Sequence, residues 1–96
     1  MVLAGPMVDE RITRDSGVEL AQLELLGYEI ASSRYDADSF GNWFVDLVGP
    51  SKLRVVRDRG QFLVDGHRKS LEKFGLWRAF NDRAEFAALL LAYAAR

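Results

Sequence analysis

Three sets of side chains in this 96-residue chain have types and spacing that could do chemistry. His67, Ser70 and Asp65 bring together a base, a hydroxyl and a carboxylate, the parts of a nucleophilic triad. They all sit around one turn, whereas a triad is assembled from distant segments, so a polar loop is the expectation. Asp36, Asp38 and Ser39, ahead of Gly41, resemble the oxygen ligands of a calcium loop. Such a loop needs a third oxygen ligand, a glycine at its sixth position and a glutamate at its twelfth, which here is Leu47. Asp36 and Asp38 are therefore read as turn residues. Lys52, Arg54, Arg57 and Arg59, beside Phe44 and Phe62, supply the bases and aromatics of a nucleic-acid surface. Alternation along a strand sends Lys52 and Arg54 to one side and Arg57 and Arg59 to the other. Asp46, Asp58 and Asp65 among them repel phosphate.

Composition narrows the chemistry further. The chain has no cysteine, which removes disulfides, thiolate metal sites and a cysteine nucleophile, and its single histidine excludes a multi-histidine centre. The glycines stand singly at turns and form no phosphate loop. The expectation is a protein without catalytic residues, cofactor or metal. A 49% hydrophobic and 28% charged balance is that of a folded globular chain, and the length suits one domain over residues 1–96. The two halves differ in charge: residues 1–48 carry a net −6 and residues 49–96 a net +5. Interleaving of the halves in the fold would neutralise both. Met1 to Pro6 lacks the basic start and long apolar stretch of a signal peptide. The most apolar run, Phe86 to Ala95, is half the ~20 residues of a membrane span. A cytoplasmic protein that does not enter the membrane is expected.

The elements that would position these residues follow from periodicity. Residues 7–26 have helical spacing, with Val8, Ile12, Leu20, Leu23 and Leu26 on one side and an interruption at Asp15-Ser16-Gly17. Leu26-Gly27-Tyr28 reads as a helix end, with Gly27 in the left-handed position and Tyr28 folded back. Tyr28 to Tyr35, Asn42 to Val48, Lys52 to Asp58 and Gln61 to Asp65 read as strands. The short turns Gly49-Pro50-Ser51 and Arg59-Gly60 set a register in which Phe44 faces Val56 and Val56 faces Leu63, while Asp46 faces Arg54 and Arg54 faces Asp65. One sheet face then carries Trp43, Arg57, Phe62, Val45, Val55, Val64, Leu47 and Leu53. The other carries an apolar row, Phe44–Val56–Leu63, and a charged row, Asp46–Arg54–Asp65. After the basic segment His67-Arg68-Lys69, Leu71 to Phe80 admits either a short helix or a last strand through Phe74 to Phe80. Asp82 caps a final helix, Glu85 completes a capping box, and Phe86, Leu89, Leu90 and Tyr93 form its buried stripe. The fold class is α+β: a four-stranded antiparallel meander with an N-terminal helical segment and a C-terminal helix packed on one face.

The stretches Leu25-Leu26-Gly27-Tyr28, Ser33-Arg34-Tyr35-Asp36, Phe40-Gly41-Asn42-Trp43 and Leu53 to Gln61, about residues 25–65, resemble small bacterial α+β proteins that include immunity proteins of contact-dependent or polymorphic toxin systems. The Arg-Asp-Arg-Gly-Gln hairpin is the most specific part. The resemblance implies a toxin as protein partner and carries over no active site. The residues themselves nominate a partner surface. An apolar outer row ringed by polar groups has the make-up of a binding patch, and Trp77 beside Arg78 suits an interface anchor. Asp36, Asp38, Phe44, Arg54, Val56, Leu63 and Trp77 are the expected partner-binding residues. The competing expectations are a nucleic-acid-associated regulator using Lys52, Arg54, His67, Arg68 and Lys69, and self-association through an edge strand or the Ala84/Ala88/Leu91 side of the last helix.

Overall fold

The computed structural model describes residues 8–96; Met1 to Pro6 and the helix start expected at residue 7 lie outside the described residues. Helix α1 (Glu10–Leu25) begins at Asp9, whose carboxylate accepts the Arg11 N–H at 2.9 Å. Its turns are interrupted at Ser16 (φ −143°, ψ 17°), within the Asp15-Ser16-Gly17 break that the pattern marks. The helix ends in a Schellman motif: Tyr28 N–H donates to Leu23 O and Gly27 N–H to Glu24 O, both at 3.1 Å, with Gly27 at φ 97°. Tyr28 folds back and is buried. Leu26, expected in the stripe, caps this end and is partly exposed.

Strands β1 (Glu29–Asp36), β2 (Asn42–Val48), β3 (Leu53–Asp58) and β4 (Gln61–Asp65) form one antiparallel sheet in the order β1-β2-β3-β4. The expected register of β2, β3 and β4 is present from Trp43–Arg57 to Leu47–Leu53 and from Arg54–Asp65 to Asp58–Gln61, including Phe44–Val56–Leu63 and Asp46–Arg54–Asp65, while Lys52, expected to start β3 opposite Val48, lies outside the ladder. Arg59 and Gly60 both take positive φ, as a two-residue hairpin of right-twisted strands requires. A bulge at Ala31 interrupts the β1–β2 register. Gly49 leaves the end of β2 against the helix terminus, where an added Cβ would lie 2.5 Å from Gly27 O.

Between β4 and the last helix the chain forms a short helix and no fifth strand. Helix α2 (Arg68–Lys73) is short; the chain then turns at Gly75 and meets β4 at one bridge, Phe80 to Phe62. Leu71, Leu76 and Phe80 go into the core, and Phe74 packs edge-on against Tyr93 at 5.2 Å. Helix α3 (Arg83–Ala94) is capped by Asp82, which accepts the Ala84 and Glu85 N–H groups. The Glu85 side chain does not close a capping box. It reaches instead to Arg78 at 3.2 Å, an ion pair that a return to the Asp82 main chain would forfeit.

The inner sheet face is buried from Trp43 to Val64 beneath α1 and α3, which also pack on each other. Three ion pairs join acids of the first half to bases of the second: Asp15–Arg57, Glu19–Arg83 and Asp46–Arg54. The opposite charges of the halves are thus partly matched inside the fold. With helices on one side only, the molecule is a flat block of 32 × 32 × 20 Å.

Candidate functional site

The opposite sheet face carries three rows set by the pleat: Ser32–Asp46–Arg54–Asp65, Arg34–Phe44–Val56–Leu63 and Asp36–Asn42–Asp58–Gln61. Phe44, Val56 and Leu63 are half-buried, in contrast to the fully buried side chains of the inner face. A groove of about 460 Å³ opens over Val56 and Leu63, with Trp77 and Arg78 on its far side and Asp58 and Asp65 at its edges. Trp77 stays 40% exposed, so its ring borders the groove without closing it. Of the segment 67–81, only Trp77 and Arg78 reach this groove; Leu71, Leu76 and Phe80 serve the core.

A second groove, about 430 Å³, shares Val56 and Asp58 and runs to Asp36 and Ser39 past Phe44. Six of the seven expected partner-binding residues, Asp36, Phe44, Arg54, Val56, Leu63 and Trp77, therefore lie along one face or its margin. Asp38 does not join them. It sits in the exposed β1–β2 loop, where its N–H donates to Asp36 Oδ1 at 3.1 Å, an Asx turn.

The charges on this face are arranged by hydrogen bonds. Arg54 was placed between two carboxylates by the register, but its guanidinium binds Asp46 alone, at 2.6 and 3.0 Å, in the bidentate fork that suits a carboxylate. Those bonds, with one from Ser32 at 2.9 Å, hold the Asp46 carboxyl below its ordinary value against the effect of burial. The same guanidinium lies 4.1 Å over the Phe44 ring. Phe44 is thus covered by a charged group held to Asp46 rather than by packed core. Among the described residues Asp58 and Asp65 have no ion-pair partner; Asp58 accepts from Asn42 at 3.0 Å and Asp65 from the Gly66 N–H at 2.9 Å.

Some of the residues considered for catalysis and nucleic-acid binding have structural partners. His67 caps α2, with Nδ1 accepting the Ser70 N–H at 3.3 Å and lying 3.0 Å from Ser70 Oγ. Asp65 makes no hydrogen bond to this pair. Of the five bases assigned to a nucleic-acid surface, Arg54 binds Asp46 and Arg68 binds Glu72. Among the described residues no three His, Asp or Glu side chains converge as metal ligands. No described helix is long and apolar enough to cross a membrane. Ala84 and Ala88 of α3 are exposed and Leu91 is half-buried.

Comparison with protein-family models, with curated proteins and with solved structures gives no match.

One feature of this region escapes a reading of the sequence. Phe40, at the tip of the β1–β2 loop, is 81% exposed at φ 60°, with Arg59 5.6 Å from its ring centre. Its signal is the Phe-Gly pair in a five-residue connection, where glycine conformations are expected and a large apolar side chain is not. Arg78, named beside Trp77 as an interface anchor, is brought to the groove by where the chain leaves β4.

Proposed function

We propose that this protein is a non-catalytic protein-binding module of the bacterial cytoplasm, an immunity-type inhibitor that covers a toxin with the outer face of its sheet. The observation that carries this reading is the groove over Val56 and Leu63, walled by a 40% exposed Trp77 on a face that no described helix covers. An apolar centre with Trp and Arg at its margin and carboxylates at its rim has the anatomy of a recognition surface. A stable complex buries ~800 Å² on each partner. Against a total surface of 6107 Å² this is much more than one groove, so the contact extends along the face past Phe44 to Asp36. Asp58 and Asp65, lacking cations of their own, favour a partner that presents basic groups around an apolar side chain.

The test uses the tagged full chain to capture partners from the source organism's lysate, with protein and nucleic acid quantified together. One protein at near-equal stoichiometry is the expected result. Phe44→Glu and Leu63→Glu should each lose it while their circular dichroism stays native. Retention of the partner by both folded variants contradicts the reading, and so does capture of nucleic acid that moderate salt releases.

A further inference from the structure

Strand β1 is the edge of the sheet remote from β4: β2 lies on one side of it and no described strand on the other. The direction of its main-chain groups follows from the pairing across the sheet. Phe62 exchanges both N–H and C=O bonds with Phe80, each at 2.8 Å, so Phe62 and Arg57 are a non-hydrogen-bonded pair of the β3–β4 ladder. Arg57 is then hydrogen-bonded to Trp43, which makes Trp43 and Tyr35 a non-hydrogen-bonded pair. The N–H and C=O of Tyr35 therefore point away from β2, and so do those of Ser33 two residues before it. Among the described residues no main-chain group outside the strands bonds either of them. A groove of about 450 Å³ lies beside this stretch, lined by Ser33, Arg34 and Tyr35 and by Val8, Asp9 and Glu10. The bulge at Ala31 limits the regular edge to Ser32–Asp36.

The charges along this edge complement themselves. For a second copy running antiparallel about a two-fold axis, three registers set outward main-chain groups against each other. Ser33 against Tyr35 puts the two Arg34 side chains directly opposite, where like charges repel. Ser33 against Ser33 carries Tyr35 across to the bulged Ala31. Tyr35 against Tyr35 puts each Arg34 opposite the other copy's Asp36. Both side chains lie on the outer face, in the rows of Phe44 and Asn42, and neither has an ion-pair partner among the described residues. Hydrogen bonding and charge therefore agree in this register alone. We infer that the chain pairs with a second copy of itself through β1, with Tyr35 on the two-fold axis and two Arg34–Asp36 pairs across it. The two four-stranded sheets then run on as one. Because β1 and β4 are opposite edges, the groove over Val56 and Leu63 stays open in both copies, and the dimer stands whether or not that groove binds a partner.

The test is sedimentation equilibrium of the full chain at low salt. A contact of this small size should give a dimer with a dissociation constant below about 1 mM. Arg34→Glu and Asp36→Lys each set like charges opposite one another across the axis. Each should weaken dimerisation at least about tenfold while circular dichroism stays native. An equimolar mixture of the two variants restores both attractive pairs and should recover the affinity of the unaltered chain. If Asp36→Lys loses its native spectrum, Arg34→Glu decides alone. In ¹⁵N-labelled protein the Tyr35 amide should exchange more slowly as concentration rises through the dissociation constant. A chain still monomeric at about 1 mM overturns the proposal. So does an Arg34→Glu variant that dimerises as tightly as the unaltered chain, or a mixture of two folded variants no tighter than either alone. A Tyr35 amide equally protected at every concentration also overturns it, because another part of the same chain then covers the edge.

Discussion

Trp43 and Phe44 are consecutive aromatic residues of one strand that end in opposite environments. Trp43 lies under α1, 2% exposed, and its indole N–H donates to Asp15 at 3.0 Å. Asp15 also takes the Arg57 guanidinium at 2.6 Å, so one carboxylate at the helix break satisfies two polar groups of the inner face. Phe44 lies on the other face beneath a single guanidinium from Arg54. The inner face is closed by side chains from distant segments, each holding the next. The outer face is covered at Phe44 by a single cross-strand guanidinium held to Asp46. One side of the sheet is therefore packed core, and the other keeps half-buried apolar side chains at the surface.

The largest effect should come from removing the inner aromatic. Trp43→Ala is expected to lower stability by ~3–5 kcal/mol, against less than ~1.5 kcal/mol for Phe44→Ala, whose ring is only half-buried; urea unfolding of the two variants measures both. Equal losses would mean that the outer face is core. Asp15→Ala should cost ~2–3 kcal/mol, because it takes the partner from a buried indole N–H and from a charged group together. Glu19→Ala should cost less, ~1 kcal/mol: Glu19 is buried, but the Arg83 it binds at 3.1 and 3.2 Å is half-exposed and regains water.

The smallest effect is that of acid on the outer face. The Asp46 carboxyl is held below its usual value of 3.8 chiefly by the Arg54 hydrogen bonds. A depressed value in the folded state makes the unfolded chain take up the proton first. The stability contributed by this group is therefore present above pH 3.8 and is lost as pH falls through the lower folded value. Asp9, bonded by Arg11, behaves in the same way, with its value lowered to about 2. Replacing Asp46 by Asn should flatten the pH dependence of the urea midpoint below pH 4 and leave it unchanged near neutrality.

The sheet was the most legible part of the sequence. Two short turns leave few registers for β2, β3 and β4, and only one puts Val45, Val55 and Val64 on one face while setting Arg54 beside Asp46. The Arg57 side chain was a further signal, since a base in an otherwise apolar row demands a buried partner. That the partner is Asp15 was not legible, because it depends on the break at Ser16 and on packing between segments 42 positions apart. Residues 67–81 were ambiguous for a related reason. Leu71, Leu76 and Phe80 keep neither a helical nor a strand period, because Gly75 reverses the chain between them. The outer apolar row of the candidate site could be read from alternation alone. The groove could not, since Trp77 and Arg78 are set by where the chain departs from β4.

If the outer sheet face is the surface that meets the partner, amide hydrogen exchange of the captured complex against the protein alone will show it. Added protection is expected to be confined to β3, β4 and residues 76–79, with unchanged exchange on the exposed side of α3. Protection at Ala84, Ala88 and Leu91 with none at Val56, Leu63 or Val64 would contradict it.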